Sequence, residues 1–184
     1  MHSEVLNTVG NFQNWEKDLF EKEIKLRHVA KHETLLRKGD IATSVFFNSK
    51  GLLFQHCQKE ENTSIIDLHL ENEWVLNHKS FVTRQPADVN LSSLTGGIVL
   101  ELTIDSIHTL IGHSLSFLQL NKMMDNAVSR IIFFDQAATP LEKYLHILNT
   151  KPKLIQAFPL KMIASYLKIT PETLSRVREK VARP

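Results

Sequence analysis

The densest chemistry lies between residues 160 and 184. Lys161, Arg176, Arg178, Lys180 and Arg183 supply cations, Thr170, Thr173 and Ser175 hydroxyls, and Glu172 a carboxylate. A helix beginning at Pro171 advances 100° per residue, which puts Leu174, Val177 and Val181 on one side. Glu172, Arg176 and Glu179 fall on the opposite side, with Thr173, Ser175 and Lys180 flanking them. Arginine can meet the edge of guanine with two hydrogen bonds, and glutamate can accept from the cytosine amino group. Thr170 is a good N-cap and Pro171 a good first helical residue. The start of that helix offers free backbone N–H groups and a positive dipole end to a phosphate. Lys161, Arg178, Lys180 and Arg183 are candidate phosphate contacts.

Such a face reads nothing unless a second helix braces it. Leu160 to Leu167 has the periodicity of a preceding helix, opened by Pro159 and followed by the short break Lys168-Ile169. Two helices crossing at a tight turn need a small residue at the crossing, and Ala164 provides it, ten positions before Leu174. Ile163, Leu167, Ile169, Leu174 and Val177 supply the shared apolar core. This is the helix–turn–helix pattern, whose second helix lies in the DNA major groove. An ordinary helical hairpin shares the apolar pattern but needs neither the alanine nor the short turn. Upstream, Thr139-Pro140 starts a further helix with Leu141, Tyr144, Leu145 and Leu148, broken at Lys151-Pro152.

The 184 residues are 42% hydrophobic and 23% charged, enough apolar material for a core and for one large domain or two small ones. Residues 1–135 carry 13 basic and 17 acidic side chains, a net −4; residues 136–184 carry 9 and 3, a net +6. A basic end beside an acidic body points to a polyanion. Cys57 stands alone, so neither an intrachain disulfide nor a multi-cysteine metal or iron–sulfur site is expected. No secretory signal or membrane-spanning run is apparent, and the expected setting is a reducing cytoplasm.

Residues 12–30 begin with the spacing of a short amphipathic helix: Phe12, Trp15, Leu19, Phe20, Ile24 and Leu26 stand among charges. From 33 to 103 short apolar runs alternate with turns: Lys38-Gly39-Asp40, Val45-Phe46-Phe47, Ser49-Lys50-Gly51, Leu52-Leu53-Phe54, Glu60-Glu61-Asn62-Thr63, Ile65–Leu70 and Gly96-Gly97 before Ile98–Leu102. That texture predicts an antiparallel sandwich or roll. After Asp105 the pattern becomes helical. Phe117, Leu120, Met124, Ala127, Ile131 and Phe134 step by three and four, an apolar seam about 30 Å long at 1.5 Å per residue. Met123, Ile132 and Phe133 give a second apolar face. The seam therefore suits a dimer contact, with packing onto the chain's own domain as the competing reading.

Other constellations carry less. His28 and His32 have the i,i+4 spacing of a zinc pair on a helix, yet no third ligand has matching spacing; His108 and His113 share no helix face. No phosphate-binding loop, dinucleotide fingerprint or nucleophile elbow is present, so no enzyme activity, cofactor or metal is expected.

The run Leu160-Lys161-Met162-Ile163-Ala164-Ser165-Tyr166-Leu167-Lys168-Ile169-Thr170-Pro171-Glu172-Thr173-Leu174-Ser175-Arg176 closely resembles the DNA-binding end of Crp/Fnr-type bacterial transcription regulators. Lys38-Gly39-Asp40, Val45-Phe46-Phe47-Asn48-Ser49-Lys50-Gly51 and Leu100-Glu101-Leu102 resemble that family's cyclic-nucleotide-binding-like β-roll. The resemblance implies an α+β chain: an N-terminal antiparallel β-roll of jelly-roll type with flanking helices over 1–114, a long dimerisation helix over 115–138, and a helix–turn–helix domain over 139–184. It implies that Glu172 and Arg176 read bases, with Thr173 and Ser175 beside them. The family turn usually carries glycine where this chain has Lys168, which then reaches towards DNA. Cyclic-nucleotide binders of the family carry Gly-Glu-Leu, whose Glu holds the ribose, and then Arg-Ser/Thr-Ala, whose Arg meets the phosphate. Here the corresponding stretches are Leu76-Asn77-His78 and Gln85-Pro86-Ala87. Tight cyclic AMP binding is therefore not expected, and Trp74, His78 and Arg84 are candidates to line whatever pocket remains.

The resulting expectation is a homodimeric regulator that binds a near-palindromic operator in double-stranded DNA. Its half-sites would lie about one helical turn apart. It would have RNA polymerase as a candidate further partner, a small-molecule effector of unknown identity, and no membrane. The alternatives are a cyclic-nucleotide or other small-molecule binding module with a degenerate DNA-binding domain, and a metal-dependent enzyme on a roll scaffold.

Overall fold

In the computed structural model, residues 2–59, 62–124 and 138–182 are described. The apolar and aromatic side chains that stand next to one another in Val45-Phe46-Phe47 belong to β3 (Ser44–Lys50), a strand covered on both faces. Its sheet has the order β1 (Lys25–Val29), β8 (Gly97–Thr103), β3, β6 (Glu73–Val75). A second sheet has the order β2 (Thr34–Leu36), β7 (Asn90–Ser93), β4 (Leu53–Lys59), β5 (Asn62–His69). Every pairing is antiparallel. Where β3 ends against β8 the backbones approach so closely that a Cβ on Gly97 would overlap the Lys50 carbonyl oxygen.

Alternation along the strands divides the apolar residues into three layers. Val29, Phe46 and Val75 of one sheet meet Leu53 and Leu91 of the other between the sheets. Val45, Phe47, Trp74 and Leu102 point outwards from the first sheet. They pack beneath α1 (Asn14–Glu23), α2 (His78–Thr83), α3 (Ile104–His113) and a 3-10 helix, Leu115–Asn121. The outer face of the second sheet carries Ile65, Leu68 and Phe54 beneath the C-terminal helices. These are α4 (Pro140–Thr150), α5 (Pro152–Ala157), α6 (Leu160–Tyr166) and α7 (Pro171–Ala182).

Ile65 and Leu68 share a face although they are three apart, because β5 carries a bulge. Gln55 faces Asp67 while the next residue, His56, faces Ile65, which leaves Ile66 as the extra residue. Asp67 and His69 consequently point between the sheets.

Three segments weighed in the sequence take definite form. The amphipathic segment at 12–30 is a helix only over Asn14–Glu23; Lys25–Val29 pairs with β8, and Leu26 lies on that strand. His28 is on β1 and His32 sits in a turn at φ 63°, so the helix spacing that would have paired them does not exist. Phe117 and Leu120 are fully buried in the core beneath the first sheet, with Met124 packed against it. Phe117 and Leu120 lie in the 3-10 helix, residues 122–124 are α-helical, and this part of the apolar row packs within the chain. Ala127, Ile131 and Phe134 lie outside the described residues. Among the described residues no helix is long and apolar enough to cross a membrane, and no group of three His, Cys, Asp or Glu is placed to hold a metal ion.

Candidate nucleic-acid interface

Helix α4 begins with a reciprocal cap. Thr139 Oγ1 accepts from the Glu142 N–H at 3.3 Å, and the Glu142 carboxylate accepts from the Thr139 N–H at 2.7 Å. Pro140 occupies the first helical position. The helix supports α6 and α7 through Tyr144 and Ile147, which are buried with Ile163, Ala164, Leu167 and Leu174. Ala164 sits at the crossing with almost no exposure, and Ile169, Val177 and Val181 complete the core from the edge.

The turn between α6 and α7 is fixed by its hydrogen bonds. The Lys168 N–H bonds to the Ser165 carbonyl and the Ile169 N–H to the Ala164 carbonyl, both at 3.0 Å. This is the Schellman arrangement, and it requires a left-handed residue at Lys168, whose φ is 57°. The Leu167 carbonyl is taken by Lys143 Nζ at 3.3 Å, a buried ammonium set against the negative end of α6. The second helix then starts from Thr170, whose Oγ1 accepts from the Thr173 N–H at 3.2 Å.

The polar side chains expected to act together lie on α6, on the turn and on α7. Glu172, Ser175, Arg176 and Lys180 are exposed on α7, Lys161 is exposed on α6, and Lys168 is exposed in the turn. Thr170 and Thr173 lie at the cap, their hydroxyls 3.1 Å apart. The Glu172 carboxyl is held below its usual range by its own backbone N–H, by the Thr170 hydroxyl and by Arg176 one turn on. Arg178 is half-buried, and Arg183 lies outside the described residues.

The three pocket candidates are not brought together. Trp74 is buried beside Phe47, ring centroids 5.2 Å apart, and its Nε1–H donates to Thr8 Oγ1. His78 begins α2. Arg84 ends α2 in the left-handed region at φ 57° and donates to the Ala42 carbonyl at 2.9 Å. The polar groups of this segment satisfy one another: Asn77 caps the Ser80 N–H, and the Ser80 hydroxyl takes the Ala42 N–H and gives its proton to the Gln85 carbonyl. The nearby cavity, which Asn77 and Glu101 help to line, holds about 170 Å³.

The sequence reading passed over a buried polar row inside the roll. His69 is completely buried, with Nε2 3.6 Å from an Asp67 oxygen and Nδ1 3.7 Å from a Glu73 oxygen. Gln55 Nε2 lies 3.3 Å from His69 Nε2 and 3.1 Å from the Leu76 carbonyl. Glu73 meets Lys151, at the junction of α4 and α5, at 2.8 and 2.9 Å. Burial pushes the Glu73 carboxyl up, but the facing His69 imidazole and the Lys151 ammonium outweigh it and bring it from 4.5 to about 2. The i,i+2 spacing of Asp67 and His69 was a legible sign of one strand face. Their meeting with a lysine about eighty residues on was not.

No protein-family model matches the sequence, and no curated protein matches it. Solved structures do match. A cyclic nucleotide-binding domain containing protein from Listeria monocytogenes is 14% identical, with 96% of this chain and 90% of that chain covered and a TM-score of 0.67. The catabolite activator protein of Thermus thermophilus is 15% identical over 94% of this chain and 84% of that chain, with a TM-score of 0.56. The c-di-GMP responsive global regulator CLP of Xanthomonas campestris is 15% identical over 92% and 91%, with a TM-score of 0.59. At such identities the likeness is one of fold: the chain is an α+β protein with antiparallel sheets and flanking helices, built on the cyclic-nucleotide-binding type of β-roll.

Proposed function

We propose that this chain is a sequence-specific, DNA-binding transcription regulator that acts as a homodimer, with α6 and α7 as its helix–turn–helix. The observation that carries the reading is the exposed row Glu172, Ser175 and Arg176 on α7, over a buried crossing at Ala164 and Leu174 and a hydrogen-bonded turn. A merely solvated helix face has no need of that scaffold. The net charge of +6 on residues 136–184 suits a phosphate backbone. Two of the fold's relatives are described as a catabolite activator protein and as a regulator linking cell–cell signalling to virulence gene expression, which favours the same reading. The roll over 1–114 is the sensing part, residues 139–184 read DNA, and residues 115–138 join the two.

Tight cyclic AMP binding is not part of this function. The segment from Asn77 to Ala87 spends polar groups on itself and on residues 39–42, and the cavity beside Asn77, about 170 Å³, falls below the ~300–1,000 Å³ usual for small-molecule sites, while Arg84 lines a separate and mainly apolar cavity of about 580 Å³. Calorimetric titration with cyclic AMP is expected to show no micromolar binding.

Selection of bound fragments from random duplex DNA by the intact chain tests the main claim. A two-fold related pair of half-sites about one helical turn apart is expected, with affinity falling steeply as salt rises. Arg176→Ala should relax the preference at one base position and cost about 1–3 kcal/mol. Unchanged binding of every sequence by that variant would remove α7 as the reading element.

A further inference from the structure

The C-terminal helices rest on their own roll through polar links as well as apolar contacts. The outer edge of the second sheet is β5, and there the Ile65 N–H donates to Ser165 Oγ of α6 at 2.9 Å. At the other end of the same contact, Lys151 Nζ grips both oxygens of Glu73 at 2.8 and 2.9 Å, with the two side chains four-fifths buried. Glu73 is also the last member of the row running from the Leu76 carbonyl through Gln55 and His69. Leu76 directly precedes Asn77, the cap of α2. A row of polar contacts therefore leads from the α2 segment, through the space between the sheets, to the junction of α4 and α5, with its widest gap the 3.7 Å between His69 Nδ1 and Glu73. The docking uses Ser165 and the inner side of α6 and leaves Glu172, Ser175 and Arg176 exposed.

We propose that the Glu73–Lys151 pair is a latch within one subunit, by which the interior of the roll sets the direction in which α7 points. The latch does not cover the reading face; it fixes its aim. Acidification is a poor key to it, because the Glu73 carboxyl stays ionised down to about pH 2. What opens it is displacement of Glu73 from behind, through His69 and Gln55, when the α2 segment moves. The DNA consequence rests on the proposed function, whereas the docking itself does not.

Two measurements on the full chain test it. Hydrogen exchange at the Ile65 amide reads the docking without any DNA. Lys151→Gln and Glu73→Gln should each raise that exchange about tenfold or more, while the amides of β3 and β8 stay protected and report an intact roll. Lys153→Gln, an exposed lysine two residues away that removes the same charge, should leave it unchanged. The second measurement is binding to duplexes whose half-sites are set at graded spacings. Wild type and Lys153→Gln should prefer one spacing, and the two latch variants should accept several. Equal exchange in all three variants overturns the latch, and raised exchange with an unchanged spacing preference overturns its control of aim. If the wild type prefers no DNA at all, the DNA-binding reading fails, and the exchange result still decides the docking.

Discussion

Lys168 shows how one residue serves two demands that conflict. The Schellman turn wants a left-handed residue, and a side chain there costs about 1 kcal/mol relative to glycine. Lys168→Gly should therefore raise the urea midpoint by up to about 1 kcal/mol of stability. The same change removes an exposed cation from the DNA side and should lower the salt slope of binding by about one. A gain in stability with no change in slope would mean that Lys168 never reaches a phosphate. Lys143 makes the opposite bargain, a buried ammonium retained because the Leu167 carbonyl has need of it. Lys143→Met should cost about 1–3 kcal/mol in urea unfolding by leaving that carbonyl without its donor. Arg176 and Lys168 were legible in the sequence, since local spacing alone fixes what a helix face and a turn present. Trp74 was misread for the opposite reason: an indole reads equally well as pocket lining or as core, and only the position of Thr8 and Phe47 decides.

Among the elements, β6 and β5 carry the titratable burden. A carboxyl whose pKa falls on folding stabilises the protein above its unfolded value and loses that contribution as pH drops through its folded value. For Glu73 those limits are 4.5 and about 2, so its contribution of a few kcal/mol is complete above about pH 4.5 and gone near pH 2. Stability of the wild type compared with Glu73→Gln by chemical denaturation should show the difference at pH 7 and its disappearance across that window. A difference that survives at pH 2 would show that the variant disturbs packing rather than charge. Strands β3 and β8 were visible in the sequence, because an apolar run bounded by Gly51 and by Gly96-Gly97 has few other uses. The strand Lys25–Val29 was not, because alternation in a segment of charges continues the texture of the helix before it. The row that suggested a dimer seam was ambiguous for a similar reason. A spacing of three and four over Phe117, Leu120 and Met124 describes which side is apolar and says nothing of whether that side meets its own core or another subunit.

Across the whole molecule, sheet and reading unit share one apolar layer. Leu68 and Ile65 of β5 pack with Tyr144, Ile163 and Leu167, so the two parts should unfold together. Both tryptophans, Trp15 and Trp74, belong to the roll part, which makes their fluorescence a reporter of the roll, while far-UV circular dichroism follows the helices as well. The two signals should give one midpoint, and Leu68→Ala should lower both together by about 2–5 kcal/mol. Separate midpoints in the wild type would deny the shared layer any cooperative role. That layer carries a single irregularity, the extra residue Ile66 opposite the step from Gln55 to His56. Excise Ile66 and the strand only straightens: Ile65 and Leu68, then two apart, still lie beneath the helices, and the acid and the imidazole stay inside. Loss of one amino acid at that point would thus leave oil facing oil along a seam that holds two halves of the molecule together. Descendants of this chain can shorten β5 by one residue there without turning the strand over.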